Sequence, residues 1–277
     1  MDNRESFLYP KFDFHFEQNG EIVDWDYTDL ELRSLIIDEK VAIRNKKLWK
    51  LAAAVFKNDD GTPFELSPAQ YELFKAVIRR EHPRLHVLCS TQYGKTLTIA
   101  RALLLRISSL PDDWIITEPD LKRGKILMNY LISDAAQNPY FRAKLVGVDL
   151  GDKDKLSRLM DEKSKVRLTF QIIGGAKKTA SIGIVSAESK RRNNPLDAVM
   201  GFGGKSIVSD ESSLIGDTLE AGIFRMLAGK GEDTCYIKVG NAFSRGHFLQ
   251  SWKNSDYKKI FVDDRIGLAD GRYNEKM

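Results

Sequence analysis

Long apolar runs, cysteines and a large excess of charge of one sign are all scarce in this sequence of 277 residues. No apolar stretch is long enough to span a bilayer, and the acidic, aromatic N-terminus does not have the character of a signal peptide. Only two cysteines occur, Cys89 and Cys235, so at most one disulfide can form, and we expect a reducing compartment, the cytoplasm. The net charge of +4 is too small to prove a polyanionic partner, although it is compatible with one.

The composition predicts a folded protein. Hydrophobic residues make up 42% of the chain and charged residues 30%, which favours a packed soluble core over disorder. The length suits one large α/β domain, or one such domain with a small appendage. We expect an N-terminal hairpin and helical cover in residues 1–60, the core in residues 61–262, and a linker or tail in residues 263–277.

The most informative stretch is residues 85–96 (LHVLCSTQYGKT), which an apolar run to Ile107 follows. It predicts a short buried strand, a tight loop and a helix that begins at the Gly-Lys-Thr triplet. At such a junction, backbone N–H groups and the positive end of the helix face an anion, as in a phosphate-binding P-loop. Lys95 would reach the terminal phosphates and the Thr96 hydroxyl would hold Mg²⁺. Cys89 stands where the pattern has its first glycine, and a plain strand–turn–helix is the alternative interpretation.

A capping motif lies one helix before this strand, in residues 66–70 (LSPAQ). Ser67 suits the N-cap, Pro68 the first helical position and Gln70 the third, so Gln70 has a purely structural role available. Alternatively, the Gln70 amide reads adenine, because its donor and acceptor match the edge of that base. The sequence leaves both roles open.

Residues 205–211 (KSIVSDE) predict a short apolar strand that ends in two carboxylates. Downstream of a Gly-Lys-Thr triplet, this is typical of the acidic strand of a nucleoside triphosphatase. Asp210 would bind Mg²⁺ through water, and Glu211 would orient or deprotonate the attacking water. A later strand, residues 235–239, ends at Gly240 and Asn241, where Asn241 would sense the γ-phosphate or else cap the next helix.

The remaining pattern alternates strands and helices. An aromatic, alternating stretch interrupted by Asn19-Gly20 predicts a β-hairpin, with base stacking as the less favoured role of its aromatics. A capping box at Thr28 begins a first helix. Further elements are expected at residues 47–56, 114–117, 121–136, 149–165, 165–173, 180–187 and 217–227, and a last strand after Lys258.

Residues 188–195 (ESKRRNNP) form the most basic polar loop of the chain. The simplest interpretation is a solvated surface loop. A sharper one is that Arg191 or Arg192 reaches a neighbouring subunit's nucleotide as an arginine finger, or contacts a nucleic-acid backbone. The sequence does not separate these two arginines.

Together these motifs resemble the ATPase domain of the large terminase subunit, the motor that packages DNA in tailed bacteriophages. The resemblance covers roughly residues 64–262 and is carried, in order, by residues 66–70, 90–96, 185–187, 207–211 and 240–248. It implies an α/β, RecA-like (ASCE) P-loop NTPase fold, with a mostly parallel sheet flanked by helices, that hydrolyses ATP with Mg²⁺.

The resemblance also implies partners and residue roles. The partners are duplex DNA, the portal protein, the small terminase subunit and further copies of the chain in a ring, all in the host cytoplasm. Gln70 would read adenine, and Gly240 and Asn241 would couple hydrolysis to movement. The implied P-loop contacts to ATP come from Ser90, Thr91, Gln92, Tyr93, Gly94, Lys95 and Thr96.

Three departures from the family pattern stand out. Many members have an arginine where this chain has Thr91, and an Arg-Gly pair where it has Met200-Gly201. The few residues after Val262 cannot supply an RNase H-like nuclease domain, so we expect no nuclease activity from this chain. The alternative functions are a helicase-type nucleic-acid-dependent ATPase core and a non-catalytic, nucleotide-dependent assembly module.

Overall fold

The computed structural model of the chain describes residues 12–18, 21–27, 46–146, 167–172, 179–186, 204–231, 233–243 and 246–273. The strands are β1 (Phe12–Gln18), β2 (Glu21–Tyr27), β3 (Arg84–Cys89), β4 (Asp113–Glu118), β5 (Arg167–Gln171), β6 (Thr179–Ser186), β7 (Ser206–Ser209), β8 (Cys235–Gly240) and β9 (Lys258–Val262). The helices are α1 (Lys46–Val55), α2 (Pro68–Arg79), α3 (Lys95–Ser109), α4 (Leu121–Gln137), α5 (Pro139–Arg142), α6 (Asp217–Ala228), α7 (His247–Lys253) and α8 (Asp264–Ala269).

A mostly parallel sheet of seven strands organises the fold, in the order β5-β6-β4-β7-β8-β3-β9. Every neighbouring pair is parallel except β5 and β6, which are antiparallel. The interior strands β7 and β8 are buried throughout, as is expected for parallel strands that are covered on both faces. The predicted mixed α/β fold is confirmed. Because parallel strands end at the same edge, the loops after β3, β4, β7 and β8 gather there.

Helix α3 follows β3 and is buried along almost its whole length. Its arginines tolerate this position because each meets a carboxylate. Arg101 Nε lies 3.0 Å from Asp134 Oδ2, and Arg106 Nε lies 2.7 Å from Asp112 Oδ2. The ion pairs and hydrogen bonds offset part of the cost of burying these charges.

The predicted elements within the described ranges are found with their ends shifted by a residue or two. β1 and β2 pair antiparallel, as the hairpin pattern predicts. The Asn19-Gly20 turn, the helix after Thr28, residues 149–165 and the basic loop at residues 188–195 lie outside the described residues.

The C-terminal part of the chain has more structure than the linker or tail that the sequence suggested. After β9, the Asp263 carboxylate caps α8 by accepting a hydrogen bond from the Ile266 backbone N–H at 2.9 Å.

Cys89 and Cys235 are both buried free thiols. In the described ranges, no helix combines the length and the apolar character needed to cross a membrane. The domain boundaries at residues 60 and 262 stay predictions.

Candidate nucleotide-binding site

The predicted strand–loop–helix is present: β3 ends at Cys89, and α3 begins at Lys95. Gly94 has a backbone φ of 89°, in the left-handed region that favours glycine. A Cβ atom at this position would also lie 2.8 Å from Gln70 Nε2. Glycine is therefore required here both by the backbone conformation and by the close approach of Gln70. The loop delivers Lys95 and Thr96 to the first turn of α3, where unpaired backbone N–H groups face outward.

The loop residues before Gly94 fall into two groups. Thr91 and Gln92 are exposed. Ser90 and Tyr93 are held by hydrogen bonds: Ser90 Oγ lies 2.5 Å from the Tyr273 hydroxyl, and the Tyr93 hydroxyl lies 2.6 Å from Ser67 Oγ. The side chain of Tyr93 is thus part of the packing beneath the loop.

The carboxyl end of β7 brings the predicted metal-binding carboxylate to the P-loop, with β8 lying between β7 and β3. The Thr96 hydroxyl donates a hydrogen bond of 2.7 Å to Asp210 Oδ2. The Asp210 backbone is fixed to β4, because its N–H donates to Thr117 O at 3.1 Å, and the Asp210 carboxylate accepts at Oδ1 from the Glu211 N–H at 3.0 Å. Burial raises the pKa of Asp210, and the Thr96 hydroxyl opposes that change.

The second carboxylate of the strand end meets the P-loop lysine. Glu211 Oε1 lies 2.9 Å from Lys95 Nζ. Burial alone would lower the pKa of Lys95, but the hydrogen bond and the charge of Glu211 outweigh it, so the pKa rises above its usual value. Glu211 itself has a φ of 46°, a left-handed conformation that is uncommon for a residue with a side chain.

The residues present fit a magnesium ion that is shared with phosphate oxygens. Among the described residues, no group of three or more histidine, cysteine, aspartate or glutamate side chains could hold a metal by itself. Mg²⁺ in phosphate-transferring sites needs no such group, because water and substrate oxygens complete its shell. The Thr96 hydroxyl and the Asp210 carboxylate are the hard oxygen donors that this arrangement uses.

Gln70 has the structural role that the capping motif predicts. Its backbone N–H donates to Ser67 Oγ at 3.4 Å, and its Oε1 accepts from the Ser67 backbone N–H at 3.1 Å. The same side chain also reaches the P-loop, because Nε2 donates to Tyr93 O at 2.9 Å. Capping and contact with the loop therefore coexist at Gln70, and adenine recognition stays a prediction.

The end of β8 contacts the loop that carries Glu211. A Cβ atom on Gly240 would lie 3.3 Å from the backbone nitrogens of Ser212 and Ser213, the next residues after Glu211. Asn241 lines a pocket of about 420 Å³ together with P-loop residues that include Ser90 and Thr91. It does not cap the next helix, because α7 has Gly246 at its N-cap.

Sequence reasoning missed a third carboxyl group at this edge of the sheet. Glu118 ends β4 and is 1% exposed, and the register that pairs Thr117 with Ser209 places it beside Asp210. Burial, together with the charges of Asp210 and Glu211, raises the pKa of Glu118 well above its usual value. An acidic residue at the carboxyl end of an apolar strand was the available signal. Arg191 and Arg192 lie outside the described residues, so their role stays a prediction.

No family model matches the chain, and no curated protein matches it. Its fold does match solved terminase structures. The match to the bacteriophage HK97 large terminase has a TM-score of 0.55 at 16% identity, and it covers 79% of this chain and 43% of the HK97 protein. The match to the large terminase of a thermophilic bacteriophage has a TM-score of 0.53 at 10% identity, and it covers 77% of this chain and 48% of that terminase.

A third match is an isolated domain. A mutant of the ATPase domain of a Thermus phage large terminase has a TM-score of 0.50 at 10% identity, and the match covers 76% of this chain and 86% of that domain. The chain spans less than half the length of the two larger terminases. Identities this low establish the fold alone: the chain has the fold that the ATPase domains of phage large terminases share.

Proposed function

We propose that this chain is the ATP-hydrolysing motor domain of a phage DNA-packaging terminase large subunit. The observation that carries the proposal is that, in a chain with the terminase ATPase fold, four side chains suited to phosphoryl transfer to water meet at one edge of the sheet. They are Lys95, Thr96, Asp210 and Glu211.

Phosphate binding follows from the start of α3. The backbone N–H groups of the loop and of the first helical turn present positive partial charge to the β- and γ-phosphates. Lys95 adds a full positive charge at the same place. Thr96 and Asp210 would hold Mg²⁺, which when bound neutralises charge on the β- and γ-phosphate oxygens.

Glu211 is the base of the proposed reaction. Its carboxylate would orient the attacking water and accept its proton as the water oxygen bonds to the γ-phosphorus, while the bond from that phosphorus to the β–γ bridging oxygen breaks and ADP leaves. Phosphate oxygens compete with Glu211 for Lys95 Nζ because both are anions that need the same cation. ATP binding would therefore draw Lys95 towards the phosphates and break its ion pair with Glu211, which would leave the Glu211 carboxylate free to contact the attacking water.

Coupling to movement would start at the same loop. The residues that follow Glu211 contact Gly240 at the end of β8, and Asn241 comes directly after it. A shift of Glu211 on hydrolysis would therefore displace the Gly240–Asn241 segment as well. The partners of the proposed motor are duplex DNA, the portal protein, the small terminase subunit and other copies of the chain in a ring.

The test is ATP turnover by the purified chain and DNA packaging into procapsids that carry the portal. With these procapsids present, wild type should hydrolyse ATP with Mg²⁺ and drive packaging of an intact duplex, and Glu211→Gln should do neither. Unwinding of a forked duplex without packaging would favour a helicase core. Nucleotide binding without any turnover, even with procapsids present, would favour the assembly module.

A further inference from the structure

The segment from Asp263 to Tyr273, which we call the C-terminal clip, folds back onto the P-loop. It consists of α8 and the turn after it, and three of its last four residues contact the loop or Gln70. The Tyr273 ring packs closely against Gly267 of α8, where an added Cβ atom would lie 2.1 Å from the ring. Glycine at position 267 is therefore needed for the clip to adopt this shape.

Two tyrosines join the clip to the loop. The Tyr273 hydroxyl donates to Thr91 O at 2.7 Å, so it accepts the hydrogen bond from Ser90 Oγ. The Tyr93 hydroxyl donates to the Asp270 carboxylate and accepts from Ser67. Each hydroxyl has one proton to donate, and these assignments use each proton once.

Arg272 contacts the Gln70 amide itself. Its Nη2 donates to Gln70 Oε1 at 2.5 Å and to the backbone oxygen of Glu65 at 2.6 Å. Gln70 is 2% exposed, and its Oε1 also accepts from the Ser67 N–H. Arginine and a backbone N–H can only donate, whereas the Tyr93 carbonyl bound by Nε2 can only accept, so the orientation of the amide is fixed by its partners.

These hydrogen bonds occupy Gln70 Oε1, the acceptor atom that adenine recognition needs. A glutamine reads adenine with two bonds: its oxygen accepts from the N6 amino group, and its nitrogen donates to N7. An amide oxygen has two acceptor positions, and in this structure Ser67 and Arg272 occupy both. Nε2 keeps one N–H beyond its bond to Tyr93, so only the N6 bond is blocked.

We infer that Arg272 and the adenine base compete for Gln70 Oε1, so that docking of the C-terminal clip and recognition of adenine exclude one another. The inference rests on the proposed function, because it assigns a regulator to the same nucleotide site. Linkage makes the effect reciprocal: the docked clip weakens ATP binding, and ATP binding loosens the clip.

The test compares ligands that do and do not need Gln70 Oε1, with binding measured by calorimetry. The ligands are a non-hydrolysable ATP analogue, the matching analogue of purine riboside triphosphate, which lacks the 6-amino group, and inorganic tripolyphosphate. Arg272→Ala should tighten binding of the ATP analogue by roughly tenfold, because a charge-assisted hydrogen bond no longer competes. Binding of the other two ligands should change much less. Arg265→Ala, at an exposed arginine of α8, is the matched control and should change none of the three.

Hydrogen exchange gives a readout that does not depend on activity. In wild type, the ATP analogue should speed exchange of the Asp270 and Arg272 amides, which donate to Ile266 O and Gly267 O, while tripolyphosphate should not. Equal effects of both ligands on the clip would overturn the inference. So would weaker or unchanged binding of the ATP analogue to Arg272→Ala. If wild type bound none of the ligands, the proposed function would fail together with the inference. If wild type bound them and only the Arg272 effect were missing, the inference alone would fail.

Discussion

Lys95 Nζ lies 2.9 Å from Glu211 Oε1, so the cation suited to phosphate binding and the carboxylate suited to water activation form an ion pair with each other. Glu211 adopts its left-handed backbone conformation while making this contact. The pair joins the P-loop to the end of β7 across the intervening strand β8. A ligand that attracts Lys95 therefore changes the environment of Glu211 directly.

Lys95→Ala should abolish ATP turnover and weaken nucleotide binding, because in the proposed mechanism Lys95 is the cation that the P-loop directs at the β- and γ-phosphates. Turnover and equilibrium binding of an ATP analogue measure the two effects. Lys125→Ala, at an exposed lysine of α4, should leave both unchanged. Normal turnover by Lys95→Ala would remove this loop from the active site.

The two carboxylates at the end of β7 should fail in different ways. Glu211→Gln should keep Mg²⁺-ATP bound and lower turnover by about 10²-fold or more, because it removes only the proposed base. Asp210→Asn should instead raise the Mg²⁺ concentration needed for tight ATP binding, because it removes the charge of a carboxylate proposed to bind the metal. A magnesium titration of nucleotide binding separates the two variants. Normal turnover by both folded variants would contradict the assignment.

Local sequence patterns were enough to predict the strand–loop–helix around Gly94 and the acidic end of β7. Both depend on short-range rules of periodicity, capping and turn chemistry. The insertion of β8 between β3 and β7 could not be predicted in the same way, because it is a pairing between distant parts of the chain. The contact of Arg272 with Gln70 has the same origin: two polar residues 202 positions apart leave no periodic signal in the sequence.

Acid should destabilise the protein through His86, a β3 residue that is 0% exposed. Burial, with the nearby charge of Lys238 as a smaller cause, lowers the pKa of His86 to about 3 from the usual 6.5. Below pH 6.5, His86 therefore becomes protonated in the unfolded chain, whereas in the folded chain it stays neutral until the pH approaches 3. The contribution of His86 to stability is complete above pH 6.5 and is lost progressively as the pH falls towards 3, by about 2 kcal/mol at pH 5.

Urea unfolding at pH 7 and pH 5 measures this effect. His86 lies in an aromatic cluster, with its ring centroid 4.2 Å from that of Phe248, so His86→Phe is a suitable nontitrating variant. Whatever its stability at pH 7, this variant should lose less free energy of unfolding between the two pH values than wild type does. An equal loss in both proteins would show that His86 is not the titrating group.

Breaking the buried ion pair between Lys238 of β8 and Glu220 of α6 should lower the stability of the fold. Lys238 Nζ is fully buried and lies 2.8 Å from Glu220 Oε1, and it also donates to Ser251 Oγ at 2.8 Å. Lys238→Met should lower the free energy of unfolding by about 3 kcal/mol or more, because it leaves the Glu220 charge buried without its cation. The double variant Lys238→Met/Glu220→Gln should recover part of that loss. Additive losses in denaturant unfolding would contradict a coupled pair.

The last prediction concerns the arginine that would stabilise charge on the γ-phosphate. Such an arginine is worth about 10³-fold or more in rate, and Thr91 cannot supply it. The chain leaves β6 at Ser186, at the same edge of the sheet as the P-loop, because β6 runs parallel to β4. Arg191 and Arg192 follow within a few residues, so we predict that they serve the nucleotide of a neighbouring subunit and that the isolated chain is a poor ATPase.

Mixing two inactive variants tests for an arginine supplied in trans. In a ring of Glu211→Gln chains and Arg191→Ala/Arg192→Ala chains, an intact ATP site on one chain meets an intact arginine from its neighbour. Such mixed rings should regain part of the wild-type turnover under assembling conditions, whereas each variant alone should stay inactive. Wild-type activity per chain should also rise with protein concentration or with a ring-forming partner. No recovery in the mixture, together with wild-type activity that does not depend on concentration, would rule out an arginine in trans, because both results would show that each subunit completes its own site.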